Sequence, residues 1–284
     1  MTKDLALPKR TRSLVKKHGK DNGYLNYYRY YRIVVKEKKD LLPPHKISKK
    51  TLQLQTANIE KAVKACKHYV GFSIKMRDKF AIGLSNYTTY SNKLSTVLHP
   101  LYGIPYIPSS AIKGLLRYVW IQENCHEKIR ELLKEKKYDE KKYETIIMEN
   151  LNTEKKQEYI DWFGIGREHK DSQRGKLIFF DGVLGNKSHS LVEDVITPHY
   201  SDYYNSMGEK GPTDDQGNNI INTNVLRGAD FNVFIGSLTK EVDFWNRTIE
   251  PLTVLVKKAF KDYGIGANTT KGYGLGEVHK HESS

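Results

Sequence analysis

The sequence predicts an α+β fold whose elements follow the order β-α-β-β-α-β. Two segments alternate apolar and polar residues: Val70, Phe72, Ile74 and Met76, and later Phe231, Val233 and Ile235, the period-2 pattern of half-buried strands. Two others space their apolar residues as a helix does, over 111–120 and 252–260. Their interleaving along the chain gives the ferredoxin-like (RRM-like) arrangement, whose sheet is the platform of many RNA-binding domains.

Residues 70–76 form the first strand. After an irregular stretch through His99-Pro-Leu-Tyr-Gly-Ile-Pro105, Ser109 or Ser110 is expected to cap a helix, because a serine hydroxyl can accept the unpaired first-turn amides. Its buried face is Ala111, Ile112, Leu115, Leu116, Val119 and Trp120. Gly114 costs that helix about 1 kcal/mol against Ala, which suggests close packing or close approach of a ligand. Lys176-Leu-Ile-Phe-Phe-Asp181 reads as the second strand, with Asp181 as a turn or cap, and Phe231–Ile235 as the third. Pro251 is expected to open the second helix, with Leu252, Leu255, Val256, Ala259 and Phe260 on its apolar face and Gly264 as its stop. The last strand is expected at about Tyr273–Val278.

The core is read as one domain over residues 1–284, carrying a basic N-terminal arm (1–60), a helical insertion (121–165) and a long polar β2–β3 insertion (184–229). Residues 121–160 balance 9 Lys/Arg against 10 Asp/Glu, which marks solvated helix faces. Residues 184–229 are turn-rich, and a structureless loop of that length is usually functional or disordered.

Charge is concentrated. The chain has a formal charge of +14, and residues 1–50 alone hold 15 Lys/Arg against 4 Asp/Glu. Such an imbalance indicates a polyanionic partner, nucleic acid or an anionic membrane surface. In the arm, Tyr24-Leu-Asn-Tyr-Tyr-Arg-Tyr-Tyr-Arg32 interleaves tyrosines with Arg29 and Arg32, which fits backbone tracking plus base stacking. No segment resembles a membrane span or a signal peptide, so a soluble, cytoplasmic protein without membrane association is expected. Cys66 and Cys125 are isolated, with no metal spacing.

The glycine-rich stretch Gly264-Ile-Gly-Ala-Asn-Thr-Thr-Lys-Gly-Tyr-Gly-Leu-Gly276 is the strongest local signal. It is not a dinucleotide fingerprint, because a helix precedes it and the third glycine is missing; nor is it a Walker loop, because glycine follows Lys271. Hydrolase and metalloprotease signatures are absent from the sequence. Backbone amides in such a loop could approach a phosphate. Lys113 and Arg117, one turn apart beside Gly114, would supply the cations. His99 is either a loop-fixing histidine or a general base. His199, Tyr200, Tyr203 and Tyr204 lie in the polar insertion, as a wedge between bases or a contact to a neighbouring subunit.

Pro105-Tyr-Ile-Pro-Ser-Ser-Ala-Ile-Lys-Gly-Leu-Leu-Arg117 resembles the signature helix of the RAMP superfamily, the ferredoxin-like RNA-binding subunits of CRISPR systems, and Gly264–Gly276 resembles its C-terminal glycine-rich loop. The family helix usually opens with Gly-Ser; here Pro108 precedes Ser109. His99-Pro-Leu-Tyr-Gly103 and Asp194-Val-Ile-Thr-Pro-His-Tyr-Ser-Asp-Tyr-Tyr204 are similar to segments of the sixth-subunit family of type III-B (Cmr) effector complexes. The resemblance spans about residues 68–279. It implies a RAMP-type core and a non-catalytic subunit near the guide 3′ end, with no cofactor and no metal. Its partners would be guide (crRNA) and target RNA and the other RAMP and small subunits of a Cmr complex. Ser109, Ser110, His99, Lys113, Arg117, Asn268, Thr269, Thr270, Lys271 and Tyr273 would contact RNA. The competing expectation is a metal-independent CRISPR RNA-processing endoribonuclease using His99 or His199.

Overall fold

The computed structural model describes residues 49–84, 94–134, 148–149, 151–166, 172–185, 191–196, 206, 209, 211 and 221–281. In chain order the elements are α1 (Lys49–Val63), β1 (His68–Met76), β2 (Lys79–Phe80), β3 (Leu94–Ser95), β4 (Tyr106–Ile107), α2 (Ser109–Lys134), α3 (Thr153–Phe163), β5 (Leu177–Phe179), β6 (Gly182–Leu184), β7 (Leu191–Ile196), β8 (Ile221–Arg227), β9 (Asp230–Ser237), α4 (Val242–Lys258) and β10 (Gly276–Lys280). This is an α+β architecture with largely antiparallel sheets.

The main sheet is antiparallel throughout, in the order β10-β1-β9-β6-β4, with β5 also on β9. Pairing of β1 with β9 sets Phe72 opposite Val233 and Ile74 opposite Phe231. All four are fully buried, and burial of each side chain contributes about 1.5–3 kcal/mol. The alternation in both strands thus has a single cause: one face of this pair lies on the core.

Helix α4 covers that face, since Trp245 stacks on His68 at 5.6 Å and His68 shares its side of β1 with Phe72. The opposite face carries Gly71, Phe234 and Gly236. A Cβ at Gly71 would meet His281 and Phe234, and one at Gly236 would meet Cys66. Helix α1 packs on β6 and β9, and its Glu60 acts electrostatically on His281, so α1 lies over this second face. The face that would serve as an open RNA platform is therefore partly covered by the chain itself. Residues from Lys49 onward, expected as part of the basic arm, are helix, with Leu52 and Val63 buried.

Three more expectations change. Helix α4 begins at Val242, not at Pro251, which lies inside it. Phe244 and Thr248 precede Leu252 by eight and four residues and are buried with it, so the apolar stripe extends past the proline. The helix ends in a single π-turn over Ala259–Tyr263, closed by Gly264 N–H on Ala259 O at 2.9 Å. The expected helical insertion sends α3 into the core: Tyr159, Trp162 and Phe163, at i, i+3 and i+4, are buried, while Asn152 caps the helix through its side chain on Lys155 N–H. The polar stretch 184–229 holds β7 and β8, which pair from Leu191↔Leu226 to Ile196↔Ile221 and join β2 and β3 in a second sheet.

Candidate nucleic-acid interface

The glycine-rich loop is anchored on protein backbone. Ala267 N–H donates to Ala81 O and Gly274 N–H to Lys79 O, both at 2.8 Å, and Ile265 N–H donates to Gly274 O at 3.0 Å. These contacts explain two of the glycines. A Cβ on Gly266 (φ 100°) would sit 2.2 Å from Ala81 O, and one on Gly274 (φ 66°) 1.9 Å from Ile265 O. Close approach is real here, but it is approach of the chain to itself. The outward part is the tight turn Thr269–Lys271, entered by Asn268 in the left-handed region (φ 57°, ψ 32°). Amides of Lys271 and Tyr273 return to Asn268 O, and that of Gly272 to Thr269 O. Thr270 and Lys271 are exposed; the strand expected from Tyr273 begins only at Gly276.

One run of hydrogen bonds joins this loop to the entry of α2. From Ala81 it passes through Ile82 N–H on Thr96 Oγ1 (3.0 Å) and Val97 N–H on Ile82 O (2.8 Å). Leu98 then bridges to Pro105, and β4 leads into the helix. Helix α2 starts at Ser109, which leaves Pro108, not a serine, at the cap position. The cap arrives from elsewhere in the chain: Asp181 Oδ1 accepts the Ser109 N–H at 2.7 Å. A carboxylate at a helix N-terminus is favourable, and it holds the place a phosphate would have taken. Ser110 is exposed beside it.

His99 is built into the same corner. Its ring lies 4.7 Å from that of Tyr102 and 5.0 Å from that of Tyr106, and its Nδ1 accepts the Leu101 N–H at 3.2 Å. Burial pushes its pKa down, and Asp181 partly opposes this. With the Nδ1 lone pair engaged by the Leu101 N–H, the neutral ring carries its proton on Nε2. Helix α1 reaches this corner through Asn58 Nδ2 donating to Tyr102 Oη at 2.8 Å.

Lys113 is half-buried on α2 and has an interaction of its own. Arg117 Nε donates to Tyr159 Oη at 2.6 Å, so this guanidinium fastens α2 to α3. Gly114 is exposed, and a Cβ there would meet nothing within 4 Å among the described residues; packing against them does not account for it.

Sequence reasoning missed Lys79. Its Nζ lies 3.0 Å from Asp194 Oδ1 and 5.5 Å from the centre of the Tyr273 ring, while Tyr273 Oη donates to Asp194 Oδ2. The glycine loop, β2 and β7 thus meet at one carboxylate. Asp194 and Tyr273 each lie in a segment that stands out in the sequence; nothing local signals that they touch. Arg29, Arg32, His199, Tyr200, Tyr203 and Tyr204 lie outside the described residues. Among the described residues no His/Cys/Asp/Glu group could hold a metal ion, and no helix is long and apolar enough to cross a membrane.

An antiparallel α+β core with a backbone-anchored glycine loop beside a helix entry defines a class, and the sequence comparison agrees. Residues 86–277 match the model of the RAMP superfamily, well over half of the 284 residues, and the chain belongs to that superfamily. It is similar to the CRISPR system Cmr subunit Cmr6 of Pyrococcus furiosus, 28% identical over 243 residues that cover 73% of this chain and 67% of the relative. In fold it resembles a chain of the type III-B Cmr-beta complex bound to cognate target RNA, with a TM-score of 0.54 at 19% identity, covering 84% of this chain and 70% of the other. The crystal structure of Cmr6 from Pyrococcus furiosus aligns over 76% of this chain and 98% of its own, at 23% identity and a TM-score of 0.39.

Proposed function

We propose that this chain is a guide-RNA-binding, non-catalytic structural subunit of a cytoplasmic type III-B (Cmr) CRISPR ribonucleoprotein, seated near the guide 3′ end. It would support antiviral defence by RNA-guided recognition of target RNA, in contact with neighbouring RAMP and small subunits. The strand order β10-β1-β9-β6 supports the ferredoxin-like reading of the core, with β7–β8 as an insertion. The observation that carries the reading is the continuous run of hydrogen bonds from the glycine loop through residues 81–82 and 96–98 to the entry of α2. It links the two superfamily motifs through one stretch of backbone, with Thr270 and Lys271 exposed, in a chain of charge +14.

RNA phosphates would lie along the turn Asn268–Lys271 and the exposed side of α2 at Ser110, Lys113 and Gly114. Lys271 would act as a point charge, and Arg117 would act by holding α2 in place. The endoribonuclease alternative has less support, because His99 Nδ1 already accepts a hydrogen bond. The test is to reconstitute the complex with Lys271→Glu and Lys113→Glu and to measure guide retention and RNA crosslinking. Weakened retention is expected, with a smaller salt slope for each lost phosphate contact. Unchanged retention and no crosslinks at these residues would refute the reading. Cleavage of repeat RNA in EDTA that is abolished by His99→Ala would establish the enzyme instead.

A further inference from the structure

We infer that Lys79 is an additional phosphate anchor beside the glycine loop and that Asp194 sets its strength. The inference rests on the RNA-binding reading above and adds a site to it. Lys79 is fixed to the loop through its backbone carbonyl, which accepts the Gly274 N–H, and its ammonium lies 5.5 Å from the Tyr273 ring. An ammonium has three N–H donors; one meets Asp194 Oδ1 at 3.0 Å. Both oxygens of that carboxylate are engaged, the second by Tyr273 Oη.

Exposure separates the two partners. The Lys79 side chain is 28% exposed and that of Asp194 14%, so the lysine is the more open of the two to an incoming anion. Asp194 and Tyr273 therefore hold Lys79 in position while donors remain for a phosphate. The ligand class is the sugar–phosphate backbone of single-stranded RNA, met as a charge without sequence reading. The adjacent Asp194 charge weakens that contact and keeps it reversible.

This arrangement has a signature that a purely structural ion pair lacks. Breaking a structural pair from either end has the same sign. If a phosphate sits at Lys79, removing the cation weakens binding and removing the anion strengthens it. The experiment measures binding of a fluorescein-labelled single-stranded RNA to the full-length chain across a salt series, for wild type, Lys79→Met, Lys79→Arg, Asp194→Asn and, as a reference, Lys271→Glu.

Lys79→Met is expected to weaken binding roughly threefold at low salt and to reduce the salt slope by about one. Lys79→Arg should keep the affinity, and Asp194→Asn should tighten binding by a similar factor. Same-signed losses in Lys79→Met and Asp194→Asn, or no change in either while Lys271→Glu weakens binding, would overturn the inference and leave the RNA reading standing. Absence of RNA binding by the wild type in both the free chain and the assembled complex would overturn the two together. Melting curves of the same variants guard the comparison, and Lys79→Arg supplies the answer should Lys79→Met fail to fold.

Discussion

Gly274 offers a sharp test of the glycine loop, because there the structure fixes both the conformation and the obstacle. Its φ is 66°, and a Cβ would lie 1.9 Å from Ile265 O and 2.9 Å from the same residue's C and N atoms. Placing an alanine in the left-handed region costs about 1–2 kcal/mol. The collision is with backbone, which cannot turn aside as a side chain can, and overpacking of that kind costs a further 1–3 kcal/mol or so. Displacement would also strain the Gly274 N–H bond to Lys79 O and the Ile265 N–H bond to Gly274 O, each worth about 1 kcal/mol. A loss of about 3–5 kcal/mol is expected for Gly274→Ala, a large share of the roughly 5–15 kcal/mol that holds a domain together. At about 2–4 °C per kcal/mol, the melting temperature should fall by roughly 6–20 °C. Gly272→Ala is the control: its φ is 87° but a Cβ there meets nothing within 4 Å, so only the conformational cost of about 1–2 kcal/mol applies. Thermal unfolding followed by circular dichroism separates the two variants. Equal melting temperatures, or a Gly274→Ala variant as stable as wild type, would refute the argument that the glycines serve backbone contact.

Further predictions concern α2 and the histidines. Gly114→Ala should stabilise the protein by about 1 kcal/mol, because the site is open and helical; weaker RNA binding by this more stable variant would show that RNA uses the space. Arg117→Met should destabilise the fold by about 1–3 kcal/mol through loss of the Nε hydrogen bond to the buried Tyr159 hydroxyl, read by urea unfolding, rather than change the salt slope of RNA binding as loss of a phosphate contact would. Burial lowers the pKa of His99 and His281 in the folded chain, so the unfolded state binds protons first as the pH drops. Their contribution is complete above the unfolded value of about 6.5 and is lost as the pH falls through that value towards the folded one. Urea midpoints should fall between pH 7.5 and pH 5.5, and less steeply in His99→Asn; a flat profile over that range would contradict the assignment.

The main strands and helices could be read from the sequence because each pattern has a local cause. Phe72, Ile74, Phe231 and Val233 alternate since one face of β1 and β9 is buried, and the α2 stripe follows from helical spacing. The glycine loop, too, was visible as an exception to ordinary composition. Chain order could not reveal what the glycines avoid: Gly266 and Gly274 are small because Ala81 and Ile265 backbone atoms lie against them, one of these contacts crossing most of the chain. Likewise Asp181 caps a helix that begins 72 residues earlier, and Arg117 binds Tyr159 from a stretch that reads as solvated. Composition and periodicity determined that this is a basic α+β chain, and resemblance marked its two RAMP-type motifs. Tertiary structure decided which of their groups stay open to a ligand. Hydrogen bonds and ion pairs between distant residues depend on three-dimensional distance, and Lys79, Asp194 and Tyr273 become neighbours only once the second sheet closes on the loop.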